Sequence, residues 1–224
     1  MRIIQNKEKK EYYLNIFSNM LLEDDKSYFR YIKVVSFKKG EQIYYEGDKV
    51  ENLYVLVDGS MIIAPSLENG KFVIIDYSNP GSMLGDLEYF SHDNIYHGVI
   101  AATDSIFISI DYKYIDSYFS KLNSFNYFLA KTLAEKLKTA SLKQSSNLLY
   151  PFDKRLANYI IDLCKISNSS EIQIDTSTIA QYFGVTDRHY RRTLAKFESL
   201  NMVKRNKRKI IILDLNLLEQ YGEY

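Results

Sequence analysis

The sequence has no tryptophan, only three prolines and a single cysteine. One cysteine, Cys164, makes no internal disulfide and supplies no ligand set for an iron–sulfur cluster or a structural zinc, so neither is expected and a reducing cytoplasm fits the composition. No apolar run approaches the ~18 residues of a membrane-spanning helix. The N-terminal Lys7-Glu8-Lys9-Lys10-Glu11 also lacks the hydrophobic stretch of a signal peptide, so neither export nor membrane insertion is expected. The most informative absence is local. Between Lys71 and Lys113 lie 41 residues without a lysine or arginine, while Asp76, Asp86, Glu88, Asp93, Asp104 and Asp111 all fall inside that interval. Histidine is scarce too. Only His92 and His97 lie in this part of the chain, without the His-x-His-x-Glu spacing of cupin-type metal oxygenases, which argues against an enzyme of that kind.

What is present is an ordinary globular composition, 46% hydrophobic and 25% charged over 224 residues, enough for two small domains with their own cores. The near-zero net charge of +1 hides an asymmetry. Residues 1–150 carry 17 basic and 19 acidic side chains; residues 151–224 carry 12 and 9. Within the second part, Thr186 to Lys209 holds nine basic residues against Asp187 and Glu198, a net of +7 in 24 residues. A charge run alone commonly marks a solvated face, so its meaning depends on the elements that carry it.

Residues 34–112 read as short strands. Segments rich in Val, Ile, Tyr and Phe recur at Gln42–Tyr45, Leu53–Val57, Met61–Ala64, Phe72–Tyr77, Val99–Ala101 and Ile106–Ile110, separated by Gly, Asp, Asn and Pro. Asp58-Gly59 and Asn69-Gly70 have the chemistry of tight hairpin turns. This spacing predicts a sandwich or barrel. Ser82 to Phe90 interrupts it with a turn and one helical turn, the place for a ligand loop.

From Asp111 the period changes. The stretch to Asn147 has neither proline nor glycine, and Ile115–Leu122 reads as a helix packed on the barrel. Farther on, Ala130, Leu133, Leu137, Ala140, Gln144 and Asn147 fall at alternating three- and four-residue steps, a heptad seam for a partner helix, most simply a second copy. Pro151 ends the helix and marks a hinge at Leu148–Pro151.

The C-terminal part has helix-turn-helix spacing. Thr176 can cap a helix with Ile179, Ala180 and Phe183 inward, and Gly184 can supply its left-handed end. Val185 plugs the turn and Thr186 caps a second helix, whose buried stripe is Tyr190, Leu194 and Phe197. Asp187, Arg188, Arg191 and Arg192 then face outward. The basic hairpin Lys204 to Lys209, leading into Ile210–Leu213, forms a wing level with phosphates.

Together these motifs resemble the Crp/Fnr family of transcription regulators. The barrel carries Gly40-Glu41-Gln42-Ile43-Tyr44, Glu46-Gly47-Asp48, Leu53-Tyr54-Val55 and Gly59, then Gly81-Ser82-Met83-Leu84-Gly85-Asp86 and Phe90. The second domain carries Phe183-Gly184-Val185-Thr186 with Arg188 and Arg192. Within the family, Tyr150-Pro151-Phe152, Arg155-Leu156-Ala157 and Arg188-His189 are most similar to the YeiL-type branch. The resemblance implies an α+β chain. It comprises a jelly-roll (double-stranded β-helix) sensor domain with flanking helices over residues 1–118, a dimerisation helix over 119–148, and a winged helix-turn-helix over 149–224. It further implies a cytoplasmic homodimer, with each recognition helix in a major groove of a pseudo-palindromic double-stranded operator. RNA polymerase is the further partner it implies, although the loop Ser167–Glu171 is several residues shorter than the polymerase-touching loop of the best-known relatives.

Arginine makes bidentate hydrogen bonds to guanine O6 and N7, so Arg188 and Arg192, four residues apart, are the expected base readers. Asp187 can accept from cytosine N4 or favour the helix dipole. The family pattern has an arginine and then a glutamate where this chain has Asp187 and Arg188, so the usual half-site does not carry over. Thr176, Thr186, His189, Arg191, Lys204 and Lys207 are placed for phosphates, which set affinity and salt dependence.

The expected effector pocket comprises Gly85, Asp86, Leu87, Ile95 and Tyr96, with Ala140 and Ser141 on the long helix. In cyclic-nucleotide-binding relatives a glutamate after the glycine meets the ribose, and an arginine about ten residues later meets the phosphate. Here those positions are Asp86 and Ile95-Tyr96. An anion buried without a charge partner costs several kcal/mol, so cyclic AMP is not the expected effector. The pocket is left with a neutral or cationic ligand, or with aromatic filling by Tyr89, Phe90, Tyr96 and Phe107. His92 and His97 are available as heme ligands but sit in a polar loop, where a surface position is the ordinary one. Two other readings stay open: a cAMP-dependent activator, and a regulatory module that acts on a protein partner.

Overall fold

The computed structural model describes residues 1–23, 26–63, 76–173, 176–206 and 209–223. They form two compact units, one reaching Lys138 and the other starting at Thr139. The elements of the first are β1 (Arg2–Ile3), α1 (Lys7–Leu21), β2 (Ile32–Phe37), β3 (Gln42–Tyr44), β4 (Asn52–Asp58), β5 (Met61–Ile63), β6 (Asp76–Ser78), β7 (Met83–Leu84), α2 (Asp86–Ser91), β8 (Val99–Ala101), β9 (Ser105–Asp111) and α3 (Tyr112–Ser117). Helix α4 (Asn123–Leu149) begins in this unit. The strands make two antiparallel sheets, ordered β1-β2-β9-β4-β7 and β3-β8-β5-β6.

Strand β9 explains why the predicted strands run as near-continuous apolar segments. Its alternate residues serve two cores. On one face Ile108 lies between Val34 and Val55, packed with Phe17, Leu21 and Phe125 from the helices. On the other, Phe107 lies between Val35 and Leu56 and faces Phe37, Met61 and Val99 inside the barrel. Both faces of β9 are therefore buried.

Helix α1 is started by Asn6, whose side chain accepts the Lys9 N–H at 2.9 Å, and it buries Leu14, Phe17 and Leu21 at three- and four-residue steps. The strand pattern does not single it out. Strands β3, β4, β5, β8 and β9 stand within a residue or two of expectation. The Asn69-Gly70 turn and most of the expected strand at 72–77 lie outside the described residues. The helix expected over Ile115–Leu122 is instead α3, which stops at Ser117. Tyr118 has φ −131° and ψ −62°, and a short 3-10 turn, Phe119–Lys121, leads into α4. Phe119 is fully buried by that turn.

The second unit continues α4 to Leu149 and adds α5 (Phe152–Ser167), β10 (Glu171–Gln173), α6 (Thr176–Phe183), α7 (Asp187–Ser199), β11 (Val203–Asn206), β12 (Lys209–Ile212) and α8 (Leu215–Gly222). Its sheet is antiparallel in the order β10-β12-β11. The core holds Phe152, Leu156, Ile160, Tyr190, Leu194 and Phe197, closed by Ile210 and Leu218. Fold class is α+β, as the sequence reading expects. Among the described residues no helix is long and apolar enough to cross a membrane.

Candidate nucleic-acid interface and effector site

Helix α6 contains Thr176 as its first helical residue and buries Ile179 and Ala180. Gly184 takes φ +65°, and the next N–H, of Val185, returns to the Ala180 carbonyl at 2.9 Å. Thr186 then caps α7 by accepting the His189 N–H at 3.2 Å. Tyr190, Thr193, Leu194 and Phe197 are buried, which turns the opposite side of α7 outward. The outward centre line runs through Arg188, Arg192, Ala195 and Ser199, all exposed, with Asp187 and Arg191 beside it. These are the two arginines expected to read bases.

The basic run is not uniformly available. Lys196 pairs with Asp153 at 2.9 Å, Arg205 is held by Glu198, and Lys209 by Glu171. Arg188, Arg191, Arg192 and Lys204 are exposed and make no ion pair among the described residues. Lys207 lies outside those residues. His189 is half-buried with its ring 5.0 Å from that of Phe152, so part of its surface is taken by packing. It lines a cleft of about 370 Å³ beside Asp153, Arg192, Thr193 and Lys196.

Asp153 ties three helices together. Its Oδ2 accepts from Lys196 on α7 and from the Tyr221 hydroxyl on α8, while Asp153 itself lies in the first turn of α5. Burial disfavours its charge, but the hydrogen bonds from Tyr221 and Lys196 outweigh this and hold its carboxyl below the usual value.

In the barrel, Gly85 has φ +80°, and a Cβ there would stand 2.6 Å from the Asn52 carbonyl oxygen and 3.0 Å from the Tyr112 hydroxyl. Only glycine fits. Its carbonyl accepts from that hydroxyl at 2.6 Å, which fixes the start of α2 and turns Asp86 inward, 1% exposed. The carboxylate has a partner that the local sequence does not offer. Lys136, on α4, places Nζ 2.6 and 2.8 Å from the two Asp86 oxygens and 2.8 Å from the Met83 carbonyl. All three ammonium N–H groups are thereby used. Glu88, also buried, has its carboxyl pushed above the usual range, chiefly by burial and further by Asp86, against the pull of Lys136.

Two expectations for this pocket are corrected. The interval without basic residues is not without a cation, because Lys136 enters from 50 residues away in sequence. The aromatic filling is not formed. Phe90 and Tyr96 are 56% and 53% exposed, the Tyr96 hydroxyl donates to Asp93 at 3.1 Å, and Tyr89 donates to Asp116. Polar neighbours hold the Tyr89 and Tyr96 hydroxyls, Tyr89 packs against the helix-facing core, and Phe107 alone of the four is fully buried. Leu87 is exposed, Ile95 is buried, and Ala140 and Ser141 are exposed on α4. The sequence signal for Lys136 is its position: Phe125, Leu129 and Thr132 are the barrel-facing stripe of α4, and Lys136 is its next place, one turn on.

A barrel with an inward carboxylate loop, in one chain with a winged helix-turn-helix, defines the class of DNA-binding regulators with a sensor domain. Residues 34–121 match the cyclic nucleotide-binding domain and residues 154–221 the Crp-like helix-turn-helix domain. The chain belongs to the Crp/Fnr family of transcription regulators, which are not enzymes. It is similar to the cAMP-activated global transcriptional regulator CRP of Salmonella typhimurium, 23% identical over 177 residues that cover 76% of this chain and 84% of that one. The CRP of Pasteurella multocida is 25% identical over 178 residues, covering 76% and 85%. In fold it is similar to a Crp/Fnr-family protein from Eubacterium rectale, with TM-score 0.74, 17% identity, and coverage of 94% of this chain and 99% of that one.

The Asp153 cluster leads to a prediction. A carboxyl whose folded pKa is lowered adds stability above its ordinary value near pH 4, and that contribution is lost as pH falls through the lower folded value. Asp153→Asn is therefore expected to cost about 1 kcal/mol at pH 7, discounted for the exposed lysine. The difference from the parent should shrink below about pH 4, as read by urea unfolding followed by circular dichroism; a pH-independent difference would refute the role.

Proposed function

We propose that the protein is a homodimeric, sequence-specific DNA-binding transcription regulator whose barrel is not controlled by cyclic AMP. The observation that carries the first part is the outward face of α7, where Arg188 and Arg192 stand exposed with no ion-pair partner among the described residues. Unneutralised guanidinium groups on a helix of this kind suit the major groove, and two such helices one DNA turn apart suit a palindromic site. Arg188 and Arg192 read bases, with Asp187 beside them. Thr176, Thr186, His189, Arg191 and Lys204 hold phosphates, and Lys207 is assigned to the same set. The sensor domain is residues 1–118, the dimerisation helix 119–148 and the DNA-binding domain 149–224, in a cytoplasmic protein.

For the dimer, the support is the side of α4 opposite its barrel-facing stripe. Leu133 is partly buried against the core of its own unit, so less of it is open to a partner. Tyr127, Ala130, Ala134, Leu137, Ser141 and Gln144 are exposed and follow one another at three- and four-residue steps, with Tyr127 and Leu137 at 70% and 72%. A heptad whose first four places, Tyr127, Ala130, Ala134 and Leu137, are apolar and left in water favours a second helix, and a copy of itself is the simplest one.

Against cyclic AMP stands the charge inventory of the pocket. Relatives named as cAMP-activated share the barrel, but here the family's arginine position has no basic side chain, and the lysine that does reach the site has its three N–H groups committed to Asp86 and Met83. A phosphate entering there meets Asp86 and Glu88 with no free cation among the described residues.

Four outcomes test this reading. Arg192→Ala should cost about 1–3 kcal/mol on a selected operator and relax preference at one base pair, whereas equal loss on every duplex would make Arg192 a phosphate contact. The parent's log K should fall steeply with log salt in a gel-shift titration. Leu137→Glu should leave the monomer folded yet weaken self-association at least about tenfold in sedimentation, since the side chain covers nothing in its own chain; an unchanged dimer would move the interface elsewhere. Calorimetry with cyclic AMP should show no micromolar binding, and such binding would overturn the claim about the pocket.

A further inference from the structure

The barrel's inward carboxylate is a built site. Asp86 is 1% exposed, receives two hydrogen bonds from one ammonium, and starts a helix whose entry Gly85 and Tyr112 fix. The group that fills it is not on the barrel wall. It is the end of Lys136, carried by α4 on the same stripe as Phe125, Leu129 and Thr132. The lysine side chain is 40% exposed along its length, while its Nζ is saturated by Asp86 and the Met83 carbonyl. A buried carboxylate left without its cation is strongly destabilising, so the pair resists separation. An exposed pair of the same geometry would not.

We propose that Lys136 is the resident ligand of the barrel: its primary ammonium occupies the Asp86 site, locks α4 to the barrel, and makes operator binding independent of any diffusible effector. This rests on the DNA-binding reading above and adds the regulation of its sensor domain. The site is selective for a primary ammonium. Two carboxylate oxygens and one carbonyl accept three N–H donors, a set that an anion cannot use and that a quaternary ammonium cannot satisfy. Shortening Lys136 to alanine removes three carbons and the nitrogen, the outline of n-propylammonium.

The test uses the full chain. Parent and Lys136→Ala proteins are titrated with a fluorescent operator duplex by anisotropy, with no nucleotide added. Amide hydrogen exchange is followed over residues 129–138. The parent should bind without effector. Lys136→Ala should bind at least about tenfold more weakly and lose protection along that segment. Propylammonium chloride at tens of millimolar should restore both, while tetramethylammonium chloride at the same concentration should restore neither. Unchanged affinity and exchange in Lys136→Ala, or equal rescue by both salts, overturns the proposal. Should Lys136→Ala not fold, the double variant Lys136→Met with Asp86→Leu decides. It removes both charges and should regain thermal stability but not effector-free affinity or exchange protection; recovery of all three would reduce the pair to packing. If the parent itself binds no duplex DNA at low salt, the DNA-binding reading falls. The exchange readout with and without propylammonium then decides for or against the lock alone.

Discussion

A carboxylate closed off from water is tolerable only with a cation in hydrogen-bond reach. Asp86 is that carboxylate and Lys136 that cation. The chain of causes can be followed outward from the pair. Asn52 and Tyr112 leave no room for a Cβ at residue 85, glycine takes the left-handed turn, and α2 begins with Asp86 pointing in. Lys136 must then face the barrel, which sets the rotation of α4 about its own axis. With Leu129, Thr132 and Lys136 turned toward the barrel, the exposed heptad of Tyr127, Ala130, Ala134 and Leu137 is left on the other side.

The second unit is ordered by charge in a different way. The run from Thr186 to Lys209 looks uniform in sequence, yet the fold sorts it. Lys196, Arg205 and Lys209 are neutralised by Asp153, Glu198 and Glu171, each joining α7 or the wing to a neighbouring element. Arg188, Arg191, Arg192 and Lys204 are not. The paired group therefore works on the geometry of the recognition helix, and the unpaired group is what remains for an anionic polymer. Sequence charge overstates the number of side chains open to phosphate, because it cannot tell a cation that holds the fold from one that faces outward.

What was legible in the sequence follows the range of the physics involved. Strands β4, β8 and β9, the Gly184 turn, the Thr186 cap and the stripe of Tyr190, Leu194 and Phe197 are written in residues close together, so period and turn chemistry suffice. The break at Tyr118 was not legible, because the burial of Phe119 that the 3-10 turn permits depends on α1 and α4. Nor was the pair between Asp86 and Lys136. A count of basic residues along the barrel segment finds none, and the cation arrives from a helix far down the chain. Leu133 has a second neighbour for the same reason: its heptad position is compatible with a partner helix, and it also packs partly buried against the core of its own unit. One trace of the pair was visible, a lysine one step beyond the buried stripe of Phe125, Leu129 and Thr132.

The absence of a basic side chain near Tyr96 and the presence of Lys136 at Asp86 bear on one charge balance. Loss of a basic side chain near Tyr96 alone would leave a pocket with two buried acids and a stability penalty at neutral pH, since burial already pushes Glu88 above its ordinary range. A lysine entering from α4 relieves that penalty and commits its ammonium to Asp86 and the Met83 carbonyl. To bind there, a phosphate must draw the ammonium off Asp86 and leave a carboxylate at 1% exposure unpaired. The free energy of binding must exceed that cost before any coupling to α4 is gained. A barrel arranged in this way sets the charge of its buried carboxylate against its own helix, so the contact that neutralises Asp86 is also one that holds α4.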